Sequence, residues 1–185
     1  MEYSLYSPHP GWSEKDPEDW WRAIKEVLGR VAVDVEDEIV GLGLTGQQHG
    51  SVFLDAEDRV IRRALLWNDQ RTEAQCREIS EKVGDKRFAK VTGSLAIPAV
   101  QASKILWLRD EEPENFDRVS HVLLPKDYVR LLLTGEYASD ASDASGPLLL
   151  TCKAGITHPS SWKPSRSRAS GYPGSTRAPR SRGRL

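Results

Sequence analysis

Apolar positions along the chain switch between two periods. Trp20, Ile24, Val27, Leu28 and Val31 recur at helical spacing behind Asp16-Pro17-Glu18-Asp19. Asp as N-cap, Pro in the first turn and acids against the helix dipole predict a helix that starts there. Ile39, Val40, Leu42 and Leu44 form a short apolar run that ends in Thr45-Gly46-Gln47-Gln48-His49-Gly50. A run of that length bounded by glycine predicts a buried strand, against which the first helix should pack. Ser51 to Leu54 and Arg59 to Ile61 flank Asp55-Ala56-Glu57-Asp58, a hairpin pattern, and Ala64-Leu65-Leu66-Trp67 is a further short apolar run.

The rest alternates in the same way. Thr72 to Val83 carries Cys76, Ile79 and Val83 on one face and stops at Gly84. Thr92-Gly93 marks a loop. Helices are predicted from about Val100 to Arg109, from Pro113 through Phe116, and from Lys126 to Thr134-Gly135, with a strand at His121 to Leu124. Asp140 to Gly146 is a polar loop ahead of Leu148-Leu149-Leu150. Residues 1 to 15 are expected to be extended. Alternating strands and helices place the chain in the α/β class.

Composition changes this picture at one end. The net charge is -1, yet residues 156–185 hold seven Lys or Arg and no acid, so the remainder carries about -8. Ser, Arg, Pro and Gly dominate there, a composition that cannot bury enough apolar surface to offset its ordering entropy. The expectation is a folded domain over residues 1–152 and a disordered basic tail over 153–185. Such an abrupt switch is what reading a GC-rich gene in another frame would produce. Cys76 and Cys152 follow no disulfide or metal spacing, no stretch of about 18 apolar residues is present, and no leader is evident, which favours a cytoplasmic chain with no membrane span.

Candidate chemistry centres on Gln47-Gln48-His49. Three hydrogen-bonding side chains in a row between glycines suit a polyol or sugar. With no second His or Cys at ligand spacing, no metal site is expected. The alternative is an ordinary turn that His49 merely caps. Trp67 is either a stacking platform or a core residue, and Asp69 either a hydrogen-bonding group of the site or an N-cap for the Thr72 helix. Lys126 and Asp127 read as helix-capping residues. Asp140 and Asp143, which resemble an acid–base carboxylate pair, read as a solvated loop.

Several blocks together carry a resemblance. TGQQHG (Thr45 to Gly50), LLWNDQRT (Leu65 to Thr72), Lys104 to Leu108, LLPKDYVRLLLTGEY (Leu123 to Tyr137), SDASG (Ser142 to Gly146) and the opening HPGWSEKDPEDWW (His9 to Trp21) resemble the N-terminal half of xylulokinases, in the FGGY group of carbohydrate kinases. That resemblance implies a partial ribonuclease-H-like, actin-like ATPase domain and a pentulose substrate, D-xylulose, phosphorylated with ATP and Mg²⁺. It implies sugar contacts at Gln48 and His49, with Trp67, Asn68 and Asp69 beside them.

In the family the first phosphate-binding hairpin precedes the sequence matching His9, and the catalytic Asp and nucleotide-binding half follow that matching Gly146. The chain is therefore expected to hold no catalytic residue, to bind ATP and Mg²⁺ poorly alone, and to turn over no ATP without a separately encoded C-terminal half. Ala99 to Ser103 replace the usual Gly-Phe-Thr-Ala-Pro beside the pocket, which bears on sugar identity. A second class of function, a non-catalytic domain whose basic tail binds nucleic acid or an acidic partner, rests on the tail's charge alone.

Overall fold

A computed structural model describes residues 2–33, 39–140, 142, 143 and 146. The basic tail, Cys152 and Leu148 to Leu150 lie outside the described residues. Helix α1 (Pro17–Val31) begins as its sequence dictates: Asp16 is extended and accepts a hydrogen bond from the Glu18 N–H at 3.0 Å. Its inner face presents Trp20 and Ile24 to helix α6 (Pro125–Thr134), and the Tyr128 hydroxyl donates to Glu18 at 2.9 Å. Val27 and Val31, the outer end of the stripe, stay exposed.

Among the described residues four short strands make two antiparallel pairs. Strand β1 (Glu14–Lys15) pairs with β3 (Ala64–Leu65), and β2 (Val52–Leu54) pairs with β4 (His121–Leu123), Phe53 opposite Val122. The expected hairpin is present as a Leu54–Val60 bridge closed by Asp55, whose carboxylate accepts from the Glu57 and Arg59 backbone N–H groups. A bridge between Ser51 and Leu65 joins the two pairs.

Helices α2 (Glu73–Val83), α3 (Asp85–Thr92), α4 (Gln101–Glu111) and α5 (Pro113–Arg118) cover one side. Helix α3 occupies a stretch that sequence reading left without an element, because its charged surface and only two buried residues, Phe88 and Thr92, give weak periodicity. Phe53, Leu65, Trp107 and Val122 form one core layer, and Trp20, Leu54, Leu123 and Val129 another. Cys76 is a buried free thiol, its pKa raised by burial.

The strand expected over residues 39–44 is not seen. Residues 39–44 form no strand ladder among the described residues, and Ile39, Val40 and Leu42 are exposed, Val40 fully so at 102%. A strand is fixed by its partners, and none of the described strands runs beside this segment. Only Leu44 reaches the core, against the cluster that holds Trp20 and Ile24.

Candidate functional site

The Gln-Gln-His motif ends in a three-residue turn. The Gly50 N–H donates to the Gln48 carbonyl at 2.8 Å, and His49 between them sits at φ +64°, a left-handed angle rarely adopted by a residue with a Cβ. Gly50 is required by close approach, since a Cβ there would stand 2.5 Å from Pro125 Cγ. Strain of this kind persists where surrounding groups hold it.

Helix α4 supplies those groups. Lys104 Nζ donates to the His49 carbonyl at 2.7 Å and to that of Ala99 at 2.5 Å. Gln101 Nε2 donates to the Gly50 carbonyl at 2.8 Å and to that of Leu123 at 3.2 Å. Both side chains are fully buried. Burial lowers the Lys104 pKa to about 7, with Arg71 adding to the effect and Asp69 opposing it. Sequence reading named neither as a site residue, although it set Ala99 to Ser103, the segment that holds Gln101, beside the pocket. The available signal was a lysine on a helix whose neighbours, Ile105 to Leu108, are apolar.

The His49 ring is half-buried against Gly146, where a Cβ would lie 2.9 Å from its Cε1. Burial and the nearby Lys104 charge lower its pKa, while the Gly146 backbone and Asp143 oppose them. At neutral pH the imidazole is therefore uncharged and offers one donor and one acceptor. Gln48 is exposed, and its Nε2 donates to Asp143 Oδ1 at 2.9 Å.

Asp143 belongs to a cluster rather than to a solvated loop. The Lys126 ammonium, 11% exposed, lies 2.5 Å from Asp127, 2.9 Å from Asp140 and 3.3 Å from Asp143. Asp140 also accepts from the Asp143 backbone N–H at 2.9 Å. A lysine buried to that degree needs counter-charge, and the loop supplies it. The expected capping role of Lys126 and Asp127 is not seen: Leu124 is the cap residue of α6, no side chain caps the helix, and the two residues pair with each other instead.

Trp67 and Asn68 are exposed, which removes the core alternative for Trp67 at 56% exposure. The antiparallel register that pairs Ser51 with Leu65 carries the Trp67 end of β3 toward the His49 end of the opposite chain. Asp69 faces inward and is fully buried. Its carboxylate accepts from the Ser13 N–H at 2.7 Å and the Arg71 N–H at 3.0 Å, and pairs with the Arg71 guanidinium at 2.8 Å. It is not the cap of α2, a place taken by Thr72 without a side-chain bond.

The arrangement is a row of uncharged or paired polar groups on an open surface. A separate groove of about 240 Å³, lined by Trp20, Ile24, Leu44, Gln47, Lys126 and Val129, runs between α1 and α6, and Gln48 and His49 lie outside it. Among the described residues no group of three His, Cys, Asp or Glu is placed to hold a metal ion. The acid pair Asp140 and Asp143 is engaged by Lys126, so these residues do not fit a Mg²⁺–nucleotide site.

Comparison with known proteins gives the same direction throughout. Residues 1–158 match the family model described as the N-terminal domain of the FGGY family of carbohydrate kinases. The chain is 45% identical over 144 residues to a xylulose kinase of Escherichia coli, covering 77% of this chain and 29% of that protein. A crystal structure described as a xyloylose kinase from Brucella ovis is 42% identical, with a TM-score of 0.79 over 86% of this chain and 33% of the other. The xylulose kinase structure from Rhodospirillum rubrum superimposes with a TM-score of 0.84 at 27% identity, covering 95% of this chain and 37% of the other. No helix among the described residues is long and apolar enough to cross a membrane.

Proposed function

Because the chain belongs to the FGGY family of carbohydrate kinases through that family's N-terminal domain, we propose that it forms the sugar-binding part of a kinase that phosphorylates a pentulose, D-xylulose, with ATP. It spans about 29% of the length of the curated relatives it matches first, so the activity of a whole kinase enters only as this reading. We take residues 1–152 as the kinase domain and 153–185 as a separate tail. A reducing, cytoplasmic setting fits the free thiol of Cys76.

The observation that carries the reading is the strained turn at His49, held from below by Lys104 and Gln101 and presented beside the exposed Gln48 amide. A ketose has several hydroxyls and no charge. A neutral imidazole and an amide can both donate to it and accept from it without the desolvation penalty of a buried ion. Trp67 offers an exposed apolar face for the sugar's carbon side, and Asn68 a further polar contact. Asp69 acts from the interior by fixing the turn that presents them.

The test is a titration of the full 185-residue chain with D-xylulose, followed by heteronuclear NMR at the Gln48 side-chain amide and the His49 ring. Saturable shifts at both positions are expected, with about tenfold weaker binding in His49→Ala, the size set by losing a site built to pair with hydroxyls. Equal affinity in that variant, or shifts confined to the α1–α6 groove, overturns the reading.

A further inference from the structure

We infer that Lys126 is a positioning residue for Gln48, acting through Asp143 so that the Gln48 amide turns its oxygen outward as a hydrogen-bond acceptor for a sugar hydroxyl. The inference rests on the sugar-site reading above but concerns a residue outside the Gln-Gln-His motif and some 80 positions downstream of it.

The geometry is a relay of three side chains. Lys126 Nζ stands 3.3 Å from Asp143 Oδ2, and the other oxygen of the same carboxylate, Oδ1, accepts from Gln48 Nε2 at 2.9 Å. A carboxylate paired with an ammonium only accepts hydrogen bonds, so Gln48 can meet it only with its NH₂ group. The amide is planar, and turning Nε2 toward Asp143 directs Oε1 the opposite way. The surface then offers an acceptor at Gln48 and, one residue on, a neutral ring at His49.

Other contacts hold Asp143 in place. Its own N–H donates to Asp140, whose carboxylate lies 2.9 Å from the same lysine, and its carbonyl accepts from the Gly146 N–H at 3.0 Å. Lys126 in turn sits at the start of α6 with Asp127 at 2.5 Å, one residue past Pro125, against which Gly50 packs. One ammonium thus ties the helix under the His49 turn to the loop that grips Gln48. Without its charge Asp140 and Asp143 repel each other, the loop is released, and the Gln48 amide is free to flip.

This assigns a specificity. A hydroxyl that can donate toward Gln48 is recognised, and an analogue with hydrogen or an ether oxygen at that carbon leaves Oε1 unpaired. Hydroxyl donors on a neutral polyol are therefore the class of group this position selects.

The test reads Gln48 directly. In the full chain, side-chain amide signals assigned by comparison with Gln48→Ala should show one Nε2 proton exchanging with solvent about tenfold more slowly than a free glutamine amide, as for a protected hydrogen bond. Lys126→Met should bring it to the free rate, and Lys126→Arg should restore most of the protection. D-xylulose affinity should fall about fivefold in Lys126→Met, the worth of one hydrogen bond, and Lys126→Met should add nothing in the Gln48→Ala background. Unchanged protection of Gln48 in Lys126→Met overturns the inference.

Should Lys126→Met fail to fold, Asp143→Ala decides by the same measurement, and protection retained there overturns it equally. If D-xylulose moves neither Gln48 nor His49 in the unaltered chain, the sugar-site reading fails by itself. The exchange data, which need no sugar, still report whether Lys126 controls Gln48.

Discussion

His49 carries a backbone angle that its Cβ disfavours, and the residue that holds it there is a lysine out of contact with water. Burial moves the Lys104 pKa from the ordinary 10.5 down to about 7. Between those two values the unfolded chain binds a proton that the folded chain does not, so stability rises with pH across that window and the lysine's burial costs most below it. The expected slope from this group is ~1.4 kcal/mol per pH unit. Lys104→Met should remove that contribution, which urea melts of both proteins at pH 7, 8 and 9 will show as a flatter profile in the variant. The same change leaves the His49 carbonyl without the N–H donor that Lys104 Nζ supplies, so D-xylulose binding should weaken while the chain remains folded. Melts with parallel slopes would show that Lys104 is not held neutral by folding.

At the scale of elements, local chemistry and pairing part company. Helix α1 starts where its cap says it must, and α6 ends at Gly135, which adopts φ +71° as a left-handed C-cap. Asp16→Ala should lower stability by about 1 kcal/mol through loss of the bond to the Glu18 N–H. Gly135→Ala should do so by a similar ~1 kcal/mol through backbone strain. Thermal melts by circular dichroism will measure both, and the two losses should add because the sites share no partner. An additive loss near zero would mean that neither terminus is fixed by its cap. Residues 39–44, with an equally strong apolar pattern, have no such local device and no described partner strand, and all but Leu44 stand exposed.

The molecule as a whole is tied together by charge buried between layers. Arg71, its side chain 1% exposed, joins Asp69 and Glu14 at 2.8 Å each and lies 3.6 Å from the Trp12 ring and 4.7 Å from that of Trp107. Arg62 bonds Glu14 and Glu112 from the other side. The network links the N-terminal segment, the turn after β3, and α4. Removing one member strands buried carboxylates, so Arg71→Met should cost about 3–5 kcal/mol and lower the unfolding midpoint by far more than either cap variant. A loss under about 1 kcal/mol in equilibrium unfolding would mean that Asp69 and Glu14 find water or other partners.

What the residues alone determined is local or periodic. The cap at Asp16, the stops at Gly84 and Gly135, the hairpin around Asp55 and the helices over Glu73–Val83, Gln101–Glu111 and Pro125–Thr134 follow from rules that act within a few positions. The six motif blocks pointed to the family for the same reason, since each is contiguous. Only the tertiary structure decided the roles of Lys126, Asp143, Lys104 and Gln101, the inward turn of Asp69, and the exposure of Trp67 and of residues 39–43. Each depends on a partner more than a dozen positions away, or on having none. A charge or a strand edge takes its role from what faces it across the fold, which spacing along the chain does not encode.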